Sequence, residues 1–301
     1  MKVSIIMLTY NHEKFIAAAI EGVLVQQANF SFELIVANDH STDYTEAIVE
    51  TYRGKSPAII KGFCNKKNLG PRFNFIKAYS RAAGEYIALC EGDDYWRDPG
   101  KLQQQVDFLE YNKDFILSFH DIEMIDEEGK PMDDQRQPPE SKRDFDRNGL
   151  LGSYIPTPTI VFRNILKTLP AAFEKTDNGD ALLQALLTRR GKAKYFAGIQ
   201  PAVVRVHGGG IWSSRHYLAK WSSTLKTHYL IFKSLDAGLR KNVAAQYIDM
   251  YEMASWDANH YASKQYWYRY NSRYLQFCII AGFYGKAFLI SRRMFHKMFN
   301  R

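Results

Sequence analysis

The sequence predicts an α/β fold: a mainly parallel central sheet flanked by helices, followed by a C-terminal helical extension. Three observations predict it. Short β-branched apolar runs alternate with longer segments of helical period in the first part of the chain. Polar residues stand repeatedly at the ends of those runs, where parallel α/β sheets bind ligands. Beyond Gly208, Gly209 and Gly210 the chain turns helical in pattern and rich in Tyr and Trp, through to Arg301.

Taken in order, "VSIIMLT" (residues 3–9) predicts the first strand, and Asn11 can cap a helix running through Gln27, with Phe15, Ala18, Ala19, Gly22 and Val23 as its inward stripe. "FELIVAND" predicts a second strand ending at Asp39, "STD" starts another helix, and "AIIKGFC" is the third strand. "NKKNLGPRFNF" turns into a helix with Pro71 at its first position. "EYIALC" is the fourth strand, Asp98 and Pro99 cap the helix "GKLQQQVDFLEY", and "FILSFHDIEMID" reads as one further strand closed by the turn "EEGK". Residues 131–148 shift to charge and proline, which predicts a mobile loop beside the site. "TPTIVF" resumes strand character, "GDALLQALLTRR" is a helix, and "AKYFAGI" and "PAVVRVH" are paired strand candidates. The expected domains are residues 1–212, with halves of about 1–126 and 150–212, and a helical region over 213–301.

With 301 residues, 46% hydrophobic and 24% charged, the chain has the composition of a globular protein. Cys64, Cys90 and Cys278 are odd in number and far apart, which fits thiols in a reducing compartment better than a disulfide framework or a zinc site. The start reads as a strand rather than a secretory leader, and the longest uncharged stretch, Tyr274 to Gly285, falls short of the roughly 20 residues that span a bilayer. A cytoplasmic location follows as the expectation, with any membrane contact peripheral, on the inner face of the plasma membrane. A net charge of +8 suits anionic partners without choosing among them.

The sharpest local signal is "EYIALCEGDDYW". An apolar strand ends in Glu91, Asp93 and Asp94 with only Gly92 between them. Crowded carboxylates repel, and hard oxygen donors at a strand end suit Mg²⁺ or Mn²⁺ completed by substrate phosphates. A solvated loop is the structural alternative. Neither GxGxxG nor GxxxxGK[ST] is present, so the phosphates of a nucleotide would be held through the metal rather than a glycine cradle. Thr9, Tyr10 and Asn11, Asn38 and Asp39, and Asn68 and Gly70 stand at the other strand ends, where each could equally be a turn former or a helix cap.

"VSIIMLTYN", "ELIVANDHSTD", "NLG" and "LCEGDDYW" resemble the successive motifs of the family-two glycosyltransferases with the GT-A fold, and "NGDALLQALLTRRGKAKYF" with "VVRVHGGGIW" resembles the second half of that domain. The resemblance covers roughly residues 1–212. It implies an inverting glycosyltransferase using a nucleotide-sugar donor, by preference a UDP-sugar, with Mn²⁺ or Mg²⁺ as cofactor and a glycan or lipid-linked acceptor in surface polysaccharide synthesis. By residue, it implies that Thr9, Tyr10, Asn11 and Asp39 contact the nucleotide, with Asp39 on the uracil. Asn68, Gly70, Glu91 and Asp93 complete the donor site. Asp93, Asp94 and His207 are the metal candidates, and Trp212 borders the sugar. Glu91 departs from the family's DxD pattern at its first position. Asp180 matches the catalytic base, with a helix cap as its structural alternative and Asp177 as the fallback.

Two other functions compete: a nucleotidyltransferase making sugar nucleotides, which would want a Gly- and Arg-rich loop where "TYNHEKF" stands, and a non-enzymatic carbohydrate or nucleic-acid binding module. Nucleic acid is not the expected partner, because the carboxylates would repel phosphate without a metal. The C-terminal "GKAFLISRRMFHKMFNR" carries Lys286, Arg292, Arg293, Lys297 and Arg301 among Phe288, Leu289, Phe295, Met298 and Phe299, the pattern of a basic amphipathic helix for an anionic membrane surface, with packing back onto the catalytic domain as the alternative.

Overall fold

The computed structural model describes residues 1–133, 137–151, 153–210, 216–261 and 264–299. These residues fall into two compact units, one formed by residues 1–174 with 190–208 and the other by 175–189 with 209–301.

The first unit is built on β1 (Val3–Thr9), α1 (Ile16–Leu24), β2 (Phe32–Asn38), α2 (Thr45–Lys55), β3 (Phe63–Cys64), α3 (Pro71–Tyr79), β4 (Tyr86–Leu89), α4 (Lys101–Tyr111), β5 (Phe115–His120), β6 (Ile122–Ile125), α5 (Arg147–Leu150) and β7 (Val161–Arg163). The helix α6 (Gly179–Thr188) belongs to the second unit, and the chain then returns to the first for β8 (Lys192–Phe196) and β9 (Ala202–Arg205). A seven-stranded sheet has the order β3-β2-β1-β4-β7-β5-β8, and β6 pairs with β9 in a small second sheet. All pairings are parallel except those of β7, which runs antiparallel between β4 and β5. The mainly parallel sheet flanked by helices is therefore as the sequence predicts. Its central strands are apolar on both faces because helices cover both, and Val3, Ile5, Met7, Leu34, Val36 and Ala88 are wholly buried.

Local details differ from the sequence reading. Asn11 adopts a left-handed backbone conformation at φ 56°, and its side-chain oxygen accepts from the Thr42 amide at 2.8 Å, so it ties two loops together and α1 starts five residues later. "FILSFHDIEMID" is two strands in two sheets. The two strands expected to pair with each other, β8 and β9, instead pair with β5 and β6 respectively. The described parts of residues 131–148 are anchored. Phe145 is buried and exchanges main-chain hydrogen bonds with Ala193, and Asp144 accepts from the Tyr195 amide at 2.9 Å. Cys90 and Cys278 are buried thiols, as expected, while Cys64 is half-buried.

The second unit is helical: α6, α7 (Tyr217–Ser234), α8 (Ala237–Tyr261), α9 (Lys264–Ile280) and α10 (Tyr284–Phe299). Its core is aromatic, with Tyr251 stacked on Phe277 at 4.9 Å and its hydroxyl donating to the Leu225 carbonyl at 2.6 Å. The α9 to α10 turn rests on Gly282, which at φ 80° takes a conformation costly to any residue with a Cβ. The Phe283 amide then reaches back to the Cys278 carbonyl at 2.8 Å, closing the helix end. Among the described residues, no helix is long and apolar enough to cross a membrane.

Candidate active site

Beyond Leu89 the chain keeps following β1: the Cys90 amide donates to the Ile6 carbonyl at 3.1 Å and the Gly92 amide to the Leu8 carbonyl at 2.8 Å. Gly92 is required by this approach. A Cβ on it would lie 2.9 Å from Thr9 Cβ and from Ile16 Cδ1. Trp96 anchors the far side of the carboxylate loop, buried, with its indole N–H donating to the Pro158 carbonyl at 2.6 Å. Tyr95 exchanges two main-chain hydrogen bonds with Val203. That pairing sets β9 beside the loop and carries Arg205 and His207 to the carboxylates.

Asp93 then meets two imidazoles. His207 Nε2 lies 3.1 Å from Asp93 Oδ2, and His12 Nε2 lies 3.9 Å from the same oxygen. One ligand atom from each of His12, Asp93 and His207 lies within 4.8 Å of the others, close enough to hold one metal ion. The His12 and His207 rings meet edge to face at 5.7 Å, and Phe15 packs on His207 at 5.0 Å. Burial lowers the His12 pKa, favouring the neutral imidazole that ligates metals. Its Nδ1 is buried without a partner. Burial pushes the Asp93 carboxyl up, but the hydrogen bond from His207 and the charges of both imidazoles more than offset this and hold it below the usual carboxylate value. Two neutral-capable nitrogens facing an ionised carboxylate form a donor set that fits a divalent cation.

Asp94 has other partners. It is buried, accepts from the Arg205 amide at 3.0 Å, and is pushed well above the carboxylate range by burial and then by the charges of Asp93 and Glu91. Among the described residues it is not a member of the His12, Asp93 and His207 group. Glu91 is half-buried at the start of the same loop, its carbonyl accepting from the Asp94 amide at 3.1 Å.

The loops after β1, β2 and β3 are tied to one another. The buried Asp39 carboxylate accepts from Asn65 Nδ2 at 2.8 Å and from the amides of Leu69 and Gly70 at 2.9 and 2.8 Å. Asn68 Oδ1 accepts from the Gly70 amide at 3.0 Å, and Gly70 sits at φ 80°. Asn38 caps the Ser41 amide at 3.0 Å. Thr9 Oγ1 is buried without a partner at the end of β1, and Tyr10 next to it is 42% exposed, an aromatic ring open to a ligand. Trp212 lies outside the described residues.

In the second unit, Asp180 lies in the first turn of α6, where Asn178 holds the capping position, so Asp180 is not the cap. The protein packed around it pushes its carboxyl pKa up by desolvation, and the main-chain amides of Ala181 and Asp180 oppose that push. The residue is exposed, so solvent screens this shift. Asp177 pairs with Lys226 at 3.3 Å.

His12 is the functional candidate that sequence reading passed over. It stands one position beyond the Thr9, Tyr10 and Asn11 set, and a histidine beside a strand end that also carries ligand-binding residues was the signal available. Arg205 was also missed: it supplies the Asp94 amide contact, and its guanidinium lies 4.7 Å from the Phe15 ring.

A mainly parallel α/β sheet flanked by helices, with polar loops and a His–Asp–His group at its strand ends, is a fold of the GT-A type. The family model described as "Glycosyl transferase family 2" matches residues 4–169, and the chain belongs to that family. Mycobacterium tuberculosis Rv1520, an uncharacterised protein, is 35% identical over 217 residues, which make up 71% of this chain and 61% of that protein. The chain thus matches less than two thirds of this relative's length. A Bacillus subtilis protein named as a teichuronic acid biosynthesis glycosyltransferase, TuaG, is 32% identical over 46% of this chain and 54% of its own. Among solved structures, S. aureus TarS 1-349 in complex with UDP-GlcNAc shares the fold with a TM-score of 0.69 at 20% identity, over 92% of this chain and 81% of that one. The mannosyltransferase PcManGT from Pyrobaculum calidifontis, in complex with GDP-Man and Mn2+, does so with a TM-score of 0.62 at 15% identity, over 98% of this chain and 80% of that one.

Proposed function

We propose that the protein transfers a sugar, with inversion, from a nucleoside diphosphate donor to a hydroxyl of a surface glycan or a lipid-linked acceptor, and that His12, Asp93 and His207 hold the metal this requires. The observation that carries the reading is the meeting of those three side chains at the carboxyl ends of β1 and β4, in a chain of glycosyl transferase family 2. A divalent cation bound there would supply the positive charge that stabilises a departing diphosphate. Two imidazoles among the donors favour Mn²⁺ over Mg²⁺, which prefers an all-oxygen shell. Asp94, turned to the Arg205 amide, supports the loop instead of serving as a direct ligand.

Thr9, Tyr10, Asn11 and Asp39 are the residues proposed to receive the base and ribose, with Asn68, Gly70 and Glu91 completing the donor site and Trp212 bordering the sugar. UDP is the preferred nucleotide, a choice supported by the UDP-GlcNAc complex of TarS, while the GDP-Man complex of PcManGT keeps GDP in the screen. Asp180 takes the proton from the acceptor hydroxyl as it attacks the anomeric carbon, the C–O bond to the diphosphate breaking on the opposite face. The name of TuaG supports a surface-glycan acceptor. The exposed basic and aromatic face of α10 is proposed to meet an anionic membrane surface.

Calorimetry of UDP with Mn²⁺, with Mg²⁺ and with EDTA tests the donor site. UDP binding that requires metal, tighter with Mn²⁺, is the expected result, and hydrolysis of one among a panel of UDP- and GDP-sugars then names the donor. Metal-independent turnover, or no binding of either UDP or GDP under any condition, would sink the proposal.

A further inference from the structure

We propose that the helical unit carries a second ligand site, a basic pocket that binds the phosphoryl group of a phosphate-bearing acceptor. The pocket has a volume of about 390 Å³ and is lined by Ser222, Ser223 and Lys226 of α7, Arg269 and Arg273 of α9, and Asp177. Its size falls within the roughly 300–1,000 Å³ typical of small-molecule sites.

The lining suits an oxyanion. Arg269 and Arg273 are one helical turn apart on the same face of α9, and Lys226 faces them across the pocket. Three cations stand against one carboxylate, Asp177, which pairs with Lys226 at 3.3 Å. Like charges at that helical spacing repel, so an arrangement that keeps them converged on a concavity is stabilised by an anion bound between them. Arg273 is held in place from below. Its guanidinium donates to the Ser222 carbonyl and, at 2.8 Å, to Ser222 Oγ, which leaves a fixed planar fork rather than a waving surface charge. The Arg273 pKa is lowered, chiefly by burial and in smaller part by the charge of Arg269. Ser222 and Ser223 are buried and bring hydroxyls to the same wall. A phosphate ester offers the two negative charges and the several acceptor oxygens that such a wall can use.

The pocket also adjoins the segment that carries the proposed base. Thr176 Oγ1 and Thr227 Oγ1 are hydrogen-bonded at 2.9 Å, and Asp177 is held by Lys226, so residues 176 and 177 are fastened to α7 at the pocket wall just before α6, whose first turn carries Asp180. An anion that draws Lys226 away from Asp177 acts directly on that segment. Naming the ligand as the acceptor rests on the transferase reading above; anion binding itself does not.

The test uses the full chain in EDTA at low ionic strength, so that any metal-dependent diphosphate binding is silent. Glycerol 3-phosphate serves as a soluble phosphate ester, and phosphatidic acid in phosphatidylcholine vesicles presents the same group on a lipid. The wild type is expected to bind, and the Lys226→Ser/Arg269→Ser double variant to bind at least tenfold more weakly, while Arg53→Ser/Lys55→Ser on α2 controls for net charge. Asp177→Asn removes the competing carboxylate and is expected to bind severalfold more tightly. Loss in the double variant with the soluble ester identifies a soluble source; loss seen only with vesicles identifies a lipid-borne one, and both support the site. With the vesicles compared in a Phe288→Ser/Arg292→Ser/Phe295→Ser background, which removes the α10 face, equal binding with and without the Lys226 and Arg269 substitutions, equal loss in the control, no binding to either probe, or no gain in Asp177→Asn overturns it. Binding of UDP and of GDP with Mn²⁺, measured on the same proteins, reads the donor site separately: the absence of both beside intact phosphate binding would end the transferase reading and leave the pocket standing.

Discussion

Replacing His12 by Gln removes one imidazole from a group whose other members, Asp93 and His207, stay within 3.1 Å of each other. Mn²⁺ affinity is expected to fall by about tenfold or more, since even outer-shell changes cost roughly 10–100-fold. Titration calorimetry checks this, and an unchanged affinity would remove His12 from the site. Asp180 offers a different separation. A carboxylate acting only on the acceptor proton contributes to the transition state and little to donor binding, so Asp180→Asn should cut transfer roughly 10² to 10⁴-fold with donor affinity retained. Asn178 occupies the cap position, and an Asn at position 180 can still accept from the first-turn amides, so the stability of α6 should hold while transfer falls. Wild-type turnover by a folded Asp180→Asn protein would pass the role to Asp177. Lys101 makes a prediction about stability. It is wholly buried beside Gln105 and over the Trp96 ring, and burial lowers its pKa from 10.5 to about 7. Between those two values the unfolded chain holds a proton that the folded chain has released, so this group's cost to stability is full at and below about pH 7 and fades as pH rises toward 10.5. Lys101→Met should therefore be the more stable protein at pH 7, by an amount of order a few kcal/mol. The gap should close toward pH 10, followed as chemical denaturation midpoints. A variant less stable at every pH would mean that the Gln105 bond and the Trp96 contact outweigh desolvation.

At the level of elements, the carboxylate loop works because three strands hold it: β1 through the Gly92 amide, β4 through its own continuation, and β9 through Tyr95 and Val203. Gly92→Ala forces a methyl group to within 2.9 Å of Thr9 and Ile16, and overpacking of this kind costs roughly 1–3 kcal/mol. A lowered melting temperature with weakened Mn²⁺ binding is expected; a neutral result would mean that the loop yields without disturbing Asp93. The α10 helix serves two environments at once. Ala287 and Ile290 are buried and Lys286 pairs with Glu252 at 2.5 Å, while Phe288, Leu289 and Phe295 are 68%, 54% and 59% exposed beside Arg292 and Arg293. The packing of α10 within the helical unit and the membrane contact proposed for it would use different faces of the helix. The Arg301 residue and the Lys297 side chain lie outside the described residues. Deleting α10 would strip a buried face, so the cleaner test is Phe288→Ser/Arg292→Ser/Phe295→Ser, whose sedimentation with phosphatidylglycerol vesicles should drop severalfold while its melting temperature holds. Undiminished sedimentation would sink the membrane proposal.

For the whole molecule, the parallel α/β plan and the family were legible in the sequence. Both rest on local patterns: unbroken apolar runs such as "VSIIMLT" and "FELIVAND", which only a sheet covered on both faces can bury, and an ordered set of motifs at their ends. The identity of Asp93 as a candidate metal ligand came from the same source, since carboxylate crowding is visible in four consecutive letters. Other features are properties of pairing rather than of composition. That β8 joins β5 while β9 joins β6, and that "FILSFHDIEMID" breaks between sheets, depends on which strands meet, and strands of similar apolar character do not declare their partners. The grouping of α6 with the C-terminal helices, apart from the strands on either side of it, was invisible for the same reason. His207 and Asp93 are 114 positions apart, and the place of His12 beside the end of β1 did not say which residues it would meet. The sequence by itself determined the parallel α/β plan and the polar residues at its strand ends, because side-chain chemistry and hydrophobic period are written locally; that His12, Asp93 and His207 meet was decided by the tertiary structure, because convergence depends on the β9 pairing that brings His207 to a loop already fastened to β1.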